Sequence, residues 1–140
     1  HQLVIHETQK QINPVELVVV QFTEWTRASH ISMETQVDRI IESLGNTKWI
    51  GLSWRDDISQ YLKKIKPYNF CPIEYKGIQY DNFSELTDSP QNSNNHWIKE
   101  EKLTLYGKYD EKLNDTHFCK KGHKVMAKSI IKKIEENNIF

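Results

Sequence analysis

A surplus of either charge is missing from this sequence. Lys+Arg 19 are matched by Asp+Glu 19, and the isoelectric point lies near 7.2. Without a net field, nothing concentrates nucleic acid or an anionic membrane at long range, so neither is expected as a partner. Cysteine is scarce as well. Cys71 and Cys119 are too few for a disulfide framework or a four-cysteine zinc site, and they say little about redox compartment. The longest apolar run, Leu17–Val20, has four residues, against the roughly 20 needed to cross a bilayer. There is no basic-then-apolar leader, so the expected location is cytoplasmic. Only 5 glycines occur, none of them in a Gly-rich phosphate loop. At 140 residues the chain falls in the range of one domain with one core.

What is present is patterned. Leu3–Ile12 is compatible with a helix or a short strand, and Asn13-Pro14 breaks it, because the residue before a proline disfavours the right-handed helical region. Glu16–Phe22 is short, β-branched and almost continuously apolar, which predicts a strand buried on both faces, as in parallel sheets. Met33, Val37, Ile40, Ile41 and Leu44 follow helical spacing, with Ser32 as N-cap and Gly45-Asn46 as stop. Lys48–Trp54 predicts a second strand. Ile58, Tyr61, Leu62 and Ile65 predict a second amphipathic helix, ended by Pro67. Strand, helix, strand, helix is the pattern of a βαβ unit. From Tyr68 to about Leu113 the periodicity dissolves and a long loop is expected; its aromatics Tyr75, Tyr80, Phe83, Trp97 and Tyr106 suit either sugar stacking or a core. A last helix follows, with Ala127, Ile130, Ile131 and Ile134 as its apolar stripe, Met126 beside them, and Lys124, Lys128, Lys132 and Lys133 largely off it. His123 falls over that stripe and is expected to be partly buried.

The segment before the last helix carries the most chemistry. In DTHFCKKGHKVMA (115–127) an acid stands two residues ahead of a histidine, on a loop running into a helix. A carboxylate so placed can fix the tautomer of an imidazole whose other nitrogen takes a proton from a nucleophile. Two plainer readings stay open. Asp115 or Asn114 can cap the helix while His117 is a surface residue. Alternatively Asp115, His117, Cys119 and His123 hold enough ligand types for zinc, although no Cys-x-x-Cys or His-x-x-x-His pair is present. No metal or cofactor is expected. The lysines of the last helix, with Trp97, Tyr106 and Tyr109, suit a solvated face better than a phosphate backbone at zero net charge.

This stretch resembles the last block of the SGNH/GDSL hydrolase superfamily, in which an Asp and a His precede the final helix and a Gly and an Ala follow, here Gly122 and Ala127. The usual spacing is Asp-x-x-His; the tighter Asp-x-His with a second His six residues on is similar to SGNH-like proteins of bacteriophages. VVVQFTEWTR (18–27) occupies the place of the family's third block, without its Gly and Asn but with Thr23, Trp25 and Arg27, as in the phage type. The resemblance implies a three-layer α/β/α fold with a mostly parallel sheet, flavodoxin-like in kind. It also implies an ester hydrolase acting on an acyl group of a small molecule or carbohydrate. His117 would be the general base, Asp115 its orienting acid, Thr23 an oxyanion donor and Arg27 a substrate anchor. The family's serine follows the first strand in a Gly-Asp-Ser type of turn that these residues lack; Ser53, in IGLSW, follows the wrong strand and reads as a strand-end residue. The expectation is therefore that residues 1–140 are the C-terminal part of a larger domain whose nucleophile lies upstream of His1. The competing class is a non-catalytic phage structural or host-contact domain, virion-associated, that kept the fold and lost the chemistry. In the enzyme reading the segments Thr23–Arg27, Trp54-Arg55 and Asp115–His117 should converge on one sheet edge.

Overall fold

The computed structural model describes residues 16–23, 30–88 and 120–139. The element expected at Leu3–Ile12 lies outside them. Strand β1 (Val18–Phe22) and strand β2 (Trp49–Ser53) pair in parallel with Val18 opposite Trp49 and Phe22 opposite Ser53. Helix α1 (Met33–Leu44) connects them. It begins where Ser32 accepts a hydrogen bond from the Thr35 amide at 3.2 Å and ends at Gly45, whose φ of 55° takes the chain out of the helix. Helix α2 (Asp56–Ile65) follows β2. Asp56 and Asp57 in its first turn and Lys63 and Lys64 in its last oppose the partial charges at the helix ends. The chain then returns beside β2: the Gly51 amide donates to the Asn69 carbonyl at 2.9 Å and the Cys71 amide to the Gly51 carbonyl at 2.8 Å. β2 is thus hydrogen-bonded on both edges, and every one of its five residues is buried.

Alternate residues of β2 feed two separate cores. Trp49 packs with Val20, Phe22, Met33, Val37, Leu44, Ile58, Leu62 and Phe70, the core built with α1 and α2. Gly51 faces the same way and has no room for a side chain: a Cβ there would stand 2.9 Å from the Trp49 ring and 3.1 Å from the Phe22 ring. Ile50 and Leu52 point to the other core, with Cys71, Ile73, Tyr80, Phe83, Leu86 and Val125. The two faces of one strand therefore carry helices from different parts of the chain, an α/β arrangement around a small parallel sheet.

Three expectations are corrected. β1 is not buried on both faces: Val20 and Phe22 are buried, but Val19 is 44% exposed and Gln21 half-buried. Second, the segment from Tyr68 is not a featureless loop. Ile73–Tyr75 (β3) and Ile78–Tyr80 (β4) form an antiparallel hairpin, and Phe83–Asp88 is a short helix, α3. Lys76 and Gly77 join the strands with φ of 51° and 77°, the two positive values that a tight two-residue hairpin turn requires. Third, the last helix, α4 (Lys120–Glu136), is rotated from its predicted phase. Gly122, Val125 and Ser129 are buried and Met126, Ile130 and Ile134 half-buried, while Ala127, Ile131 and His123 are exposed. The stripe includes a glycine and a serine, which hydrophobic counting omits, and it sheds Ile131. Ser129 explains the phase: its Oγ accepts from the Glu74 amide of β3 at 3.0 Å and donates to the Val125 carbonyl at 3.0 Å.

Candidate functional site

A parallel pair puts the carboxyl ends of its strands at one edge, and open α/β sheets keep their sites there. At this edge Thr23, exposed, follows β1, and Trp54, Arg55, Asp56 and Asp57 follow β2. The Trp54 amide donates to the Phe22 carbonyl at 2.9 Å, which holds the two segments side by side. Of the three segments expected to converge, the described parts, Thr23 and Trp54-Arg55, lie together at this edge. Arg27, Asp115 and His117, like Trp25, Cys119, Trp97 and Tyr106, lie outside the described residues.

The edge is polar and mutually bonded. Arg55 grips Asp57 with two guanidinium contacts of 3.1 Å each, the bidentate fork that fixes both groups. The Asp57 carboxylate also accepts from the Ile58 amide at 2.9 Å, so it supports the first turn of α2 as well. Asp56 accepts from Gln60 at 3.2 Å and from buried Asn82 at 3.5 Å. Asn82 also donates to the Ser59 hydroxyl at 3.3 Å and accepts from the Glu85 amide at 2.8 Å, which caps α3. The Glu85 carboxylate in turn accepts from the Asp81 amide at 2.7 Å. Finally, the Ser84 amide donates to the Trp54 carbonyl at 3.1 Å, and the Trp54 and Phe83 rings lie 5.7 Å apart. The start of α3 is therefore docked on the end of β2.

Ser53 is closed to chemistry in this arrangement. It is fully buried, its hydroxyl donates to the Arg55 carbonyl at 2.8 Å, and it accepts from the Arg55 amide at 3.1 Å. A nucleophilic serine needs its proton facing a base, and this one is spent on a turn. The strand-end reading of Ser53 holds. Tyr80 and Phe83 are core residues and do not offer a face to a sugar, while Tyr75 is half-buried against the same core. Among the described residues no group of three or more His, Cys, Asp and Glu side chains could hold a metal ion.

Sequence reasoning missed the Arg55–Asp57 fork and the role of Asn82. The second was detectable: Asn82 followed three residues later by Glu85, with Phe83 and Leu86 apolar at helical spacing, is a helix-start signature. The fork had no such signal, since Arg-Asp-Asp after a strand fits any polar turn. Comparison with known proteins finds no matching family model, no matching curated protein and no matching solved structure. Among the described residues, no helix is long and apolar enough to cross a membrane.

Proposed function

We propose that this chain is part of a three-layer α/β/α domain of the SGNH hydrolase type, which removes an acyl group from a carbohydrate or other small ester. His117 acts as general base and Asp115 orients it. Thr23 supplies an oxyanion contact, Arg27 anchors the substrate, and the nucleophilic serine comes from outside residues 1–140. The observation that carries this reading is the shared carboxyl edge: Thr23 follows β1 beside Trp54 and Arg55, which follow β2, held by the Trp54-to-Phe22 hydrogen bond. Two cores on opposite faces of β2 support the layered architecture. In this chemistry the base takes the serine proton as the hydroxyl attacks the ester carbonyl, and donors at the edge stabilise the oxyanion that forms.

The test is made on the full-length protein, with short-chain aryl esters and acetylated sugars as substrates. His117→Ala should abolish turnover and labelling by a serine-directed phosphonate while leaving the melting temperature unchanged. His123→Ala should leave turnover and labelling in place, since His123 stands exposed on α4. A wild-type chain without turnover or labelling replaces the enzyme by the non-catalytic interaction domain. Equal losses for both histidine variants at unchanged melting point instead to a shared metal site.

A further inference from the structure

A concave surface that shares no lining residue with that edge lies between α4 and the β3–β4 hairpin. Its volume is about 410 Å³ and its walls include Glu74, Lys76, Lys124, Lys128, Ser129 and Lys132. Four ammonium groups against one carboxylate leave this groove strongly positive in a chain whose total charge is zero. The lysines come from two elements. Lys124, Lys128 and Lys132 recur every fourth residue on α4, so their attachment points follow one another at about 6 Å along the helix. Lys76 reaches in from the hairpin turn, its ammonium 5.4 Å from the centre of the Tyr75 ring.

Their charges are not neutralised alike. Lys132 pairs with Glu74 and stands 3.9 Å from Glu136. Among the described residues, Lys124 and Lys128 have no ion-pair partner and Lys76 stands over the Tyr75 ring. The wall that presents them is tied to the hairpin, because buried Ser129 bonds both the β3 backbone and its own helix. A solvated lysine face on a single helix would not need a fourth lysine from another element closing the opposite side of a groove.

We propose that this groove binds a small molecule carrying two or more adjacent phosphate groups. Lysine is a compact point charge without the fork of arginine, so a lysine-lined wall reads the number of negative charges and their density. The volume falls in the range of small-molecule sites, roughly 300–1,000 Å³.

Calorimetry on the full chain at low salt, with inorganic tripolyphosphate, pyrophosphate and orthophosphate as probes, tests this. Affinity should rise in the order ortho-, pyro-, tripolyphosphate and fall as salt is added. The double variant Lys124→Glu/Lys128→Glu should bind tripolyphosphate at least about twentyfold more weakly, since each exposed charge contact is worth roughly a factor of five. Lys64→Glu, on the exposed face of α2, should bind as wild type does. Should the double variant melt early, Lys76→Gln and Lys124→Gln singly should each weaken binding about fivefold. Absence of binding, equal affinity for the three anions, or unchanged affinity in the lysine variants overturns the proposal. So does tighter binding of single-stranded oligonucleotides with each added nucleotide, which would make the surface a strand-binding one.

Discussion

The two faces of β2 are built on different principles. The face of Trp49 and Gly51 is covered by α1 and α2, each adjacent in sequence to the strand it covers, and all the parts except Phe70 come from residues 18–65. The face of Ile50 and Leu52 is covered by the hairpin, α3 and α4, pieces that are short or come from residues 120 onward. The first core joins neighbours along the chain. The second closes a loop from β3 to α4, with Ser129 bonded to Glu74 across 55 positions. Closing longer loops costs more conformational entropy before contacts compensate for it. The α1–α2 face should therefore form first and survive longest, and the α4 face should open at lower free energy.

The largest effects test whether the cores are coupled. Leu52→Ala and Leu62→Ala each empty a fully buried site, one in each core, and each should cost about 2–5 kcal/mol in denaturant unfolding. Hydrogen exchange separates them. Leu52→Ala should release protection in α4 and the hairpin before α1, whereas Leu62→Ala should lower protection everywhere. Identical exchange patterns for both variants would show a single cooperative unit and break the distinction.

Cys71 offers a pH handle on the second core. It has no exposed surface, and burial pushes its thiol up from 9.0 to about 12, with Lys133 pulling slightly the other way and Glu136 adding to the rise. The folded state thus favours the neutral thiol. Its contribution is complete below pH 9, where the unfolded thiol is also protonated, and is lost as pH rises toward the folded value. Near pH 10.5 the wild type should have lost about 2 kcal/mol more than Cys71→Ala has, relative to each protein at about pH 8. Parallel stability curves for the two proteins would mean that water reaches this core.

The same contrast explains what was legible in the sequence. α1 and α2 repeat their apolar residues at helical spacing, and Ser32, Gly45 and Pro67 punctuate them, so their limits could be read within a residue or two. β2 was readable because all its residues are buried and its sequence is almost all apolar. The hairpin escaped notice because its strands have three residues each and expose Ile78 and Gln79, leaving no alternation to detect. α4 was found but misphased, since its buried line runs through Gly122 and Ser129 while Ile131 is 54% exposed. The edge after β1 and β2 was legible from the βαβ pattern. The Arg55–Asp57 fork is local, but Arg-Asp-Asp after a strand fits any polar turn; the lysine groove depends on which elements meet in space, and no local spacing encodes that.

Ser129 is the next test in size, and it bears on why α4 sits as it does. Replacing it by alanine leaves the partly buried Glu74 amide without its acceptor, at about 1–2 kcal/mol. Ser129→Thr keeps the hydroxyl but adds a methyl group to a tight contact and should fall between the two. If Ser129→Ala leaves stability unchanged while α4 keeps its protection, the apolar contacts of Val125 and Ile130 hold the helix phase by themselves.

The smallest effects come from the two helix caps, and they compare the same chemistry in the two regions. Ser32 caps α1, a helix of 12 residues with its own apolar stripe, and its hydroxyl is exposed. Asn82 caps α3, a helix of 6 residues, and its side chain is buried and bonded to Ser59 and Asp56 as well as to the Glu85 amide. Ser32→Ala should cost about 0.5–1 kcal/mol, the ordinary loss of one exposed cap. Asn82→Ala should cost about 1–2 kcal/mol, because the cap is lost and the Ser59 hydroxyl loses a donor in a buried site. Asn82→Asp restores the acceptor for Glu85 but puts a second carboxylate beside Asp56. It should be worse than wild type at neutral pH and recover as pH falls through the carboxylate range, where one of the two takes a proton. An Asn82→Asp variant whose stability does not rise on acidification relative to wild type would mean that the Asp56 contact, at 3.5 Å, carries no weight in holding α3 on the edge.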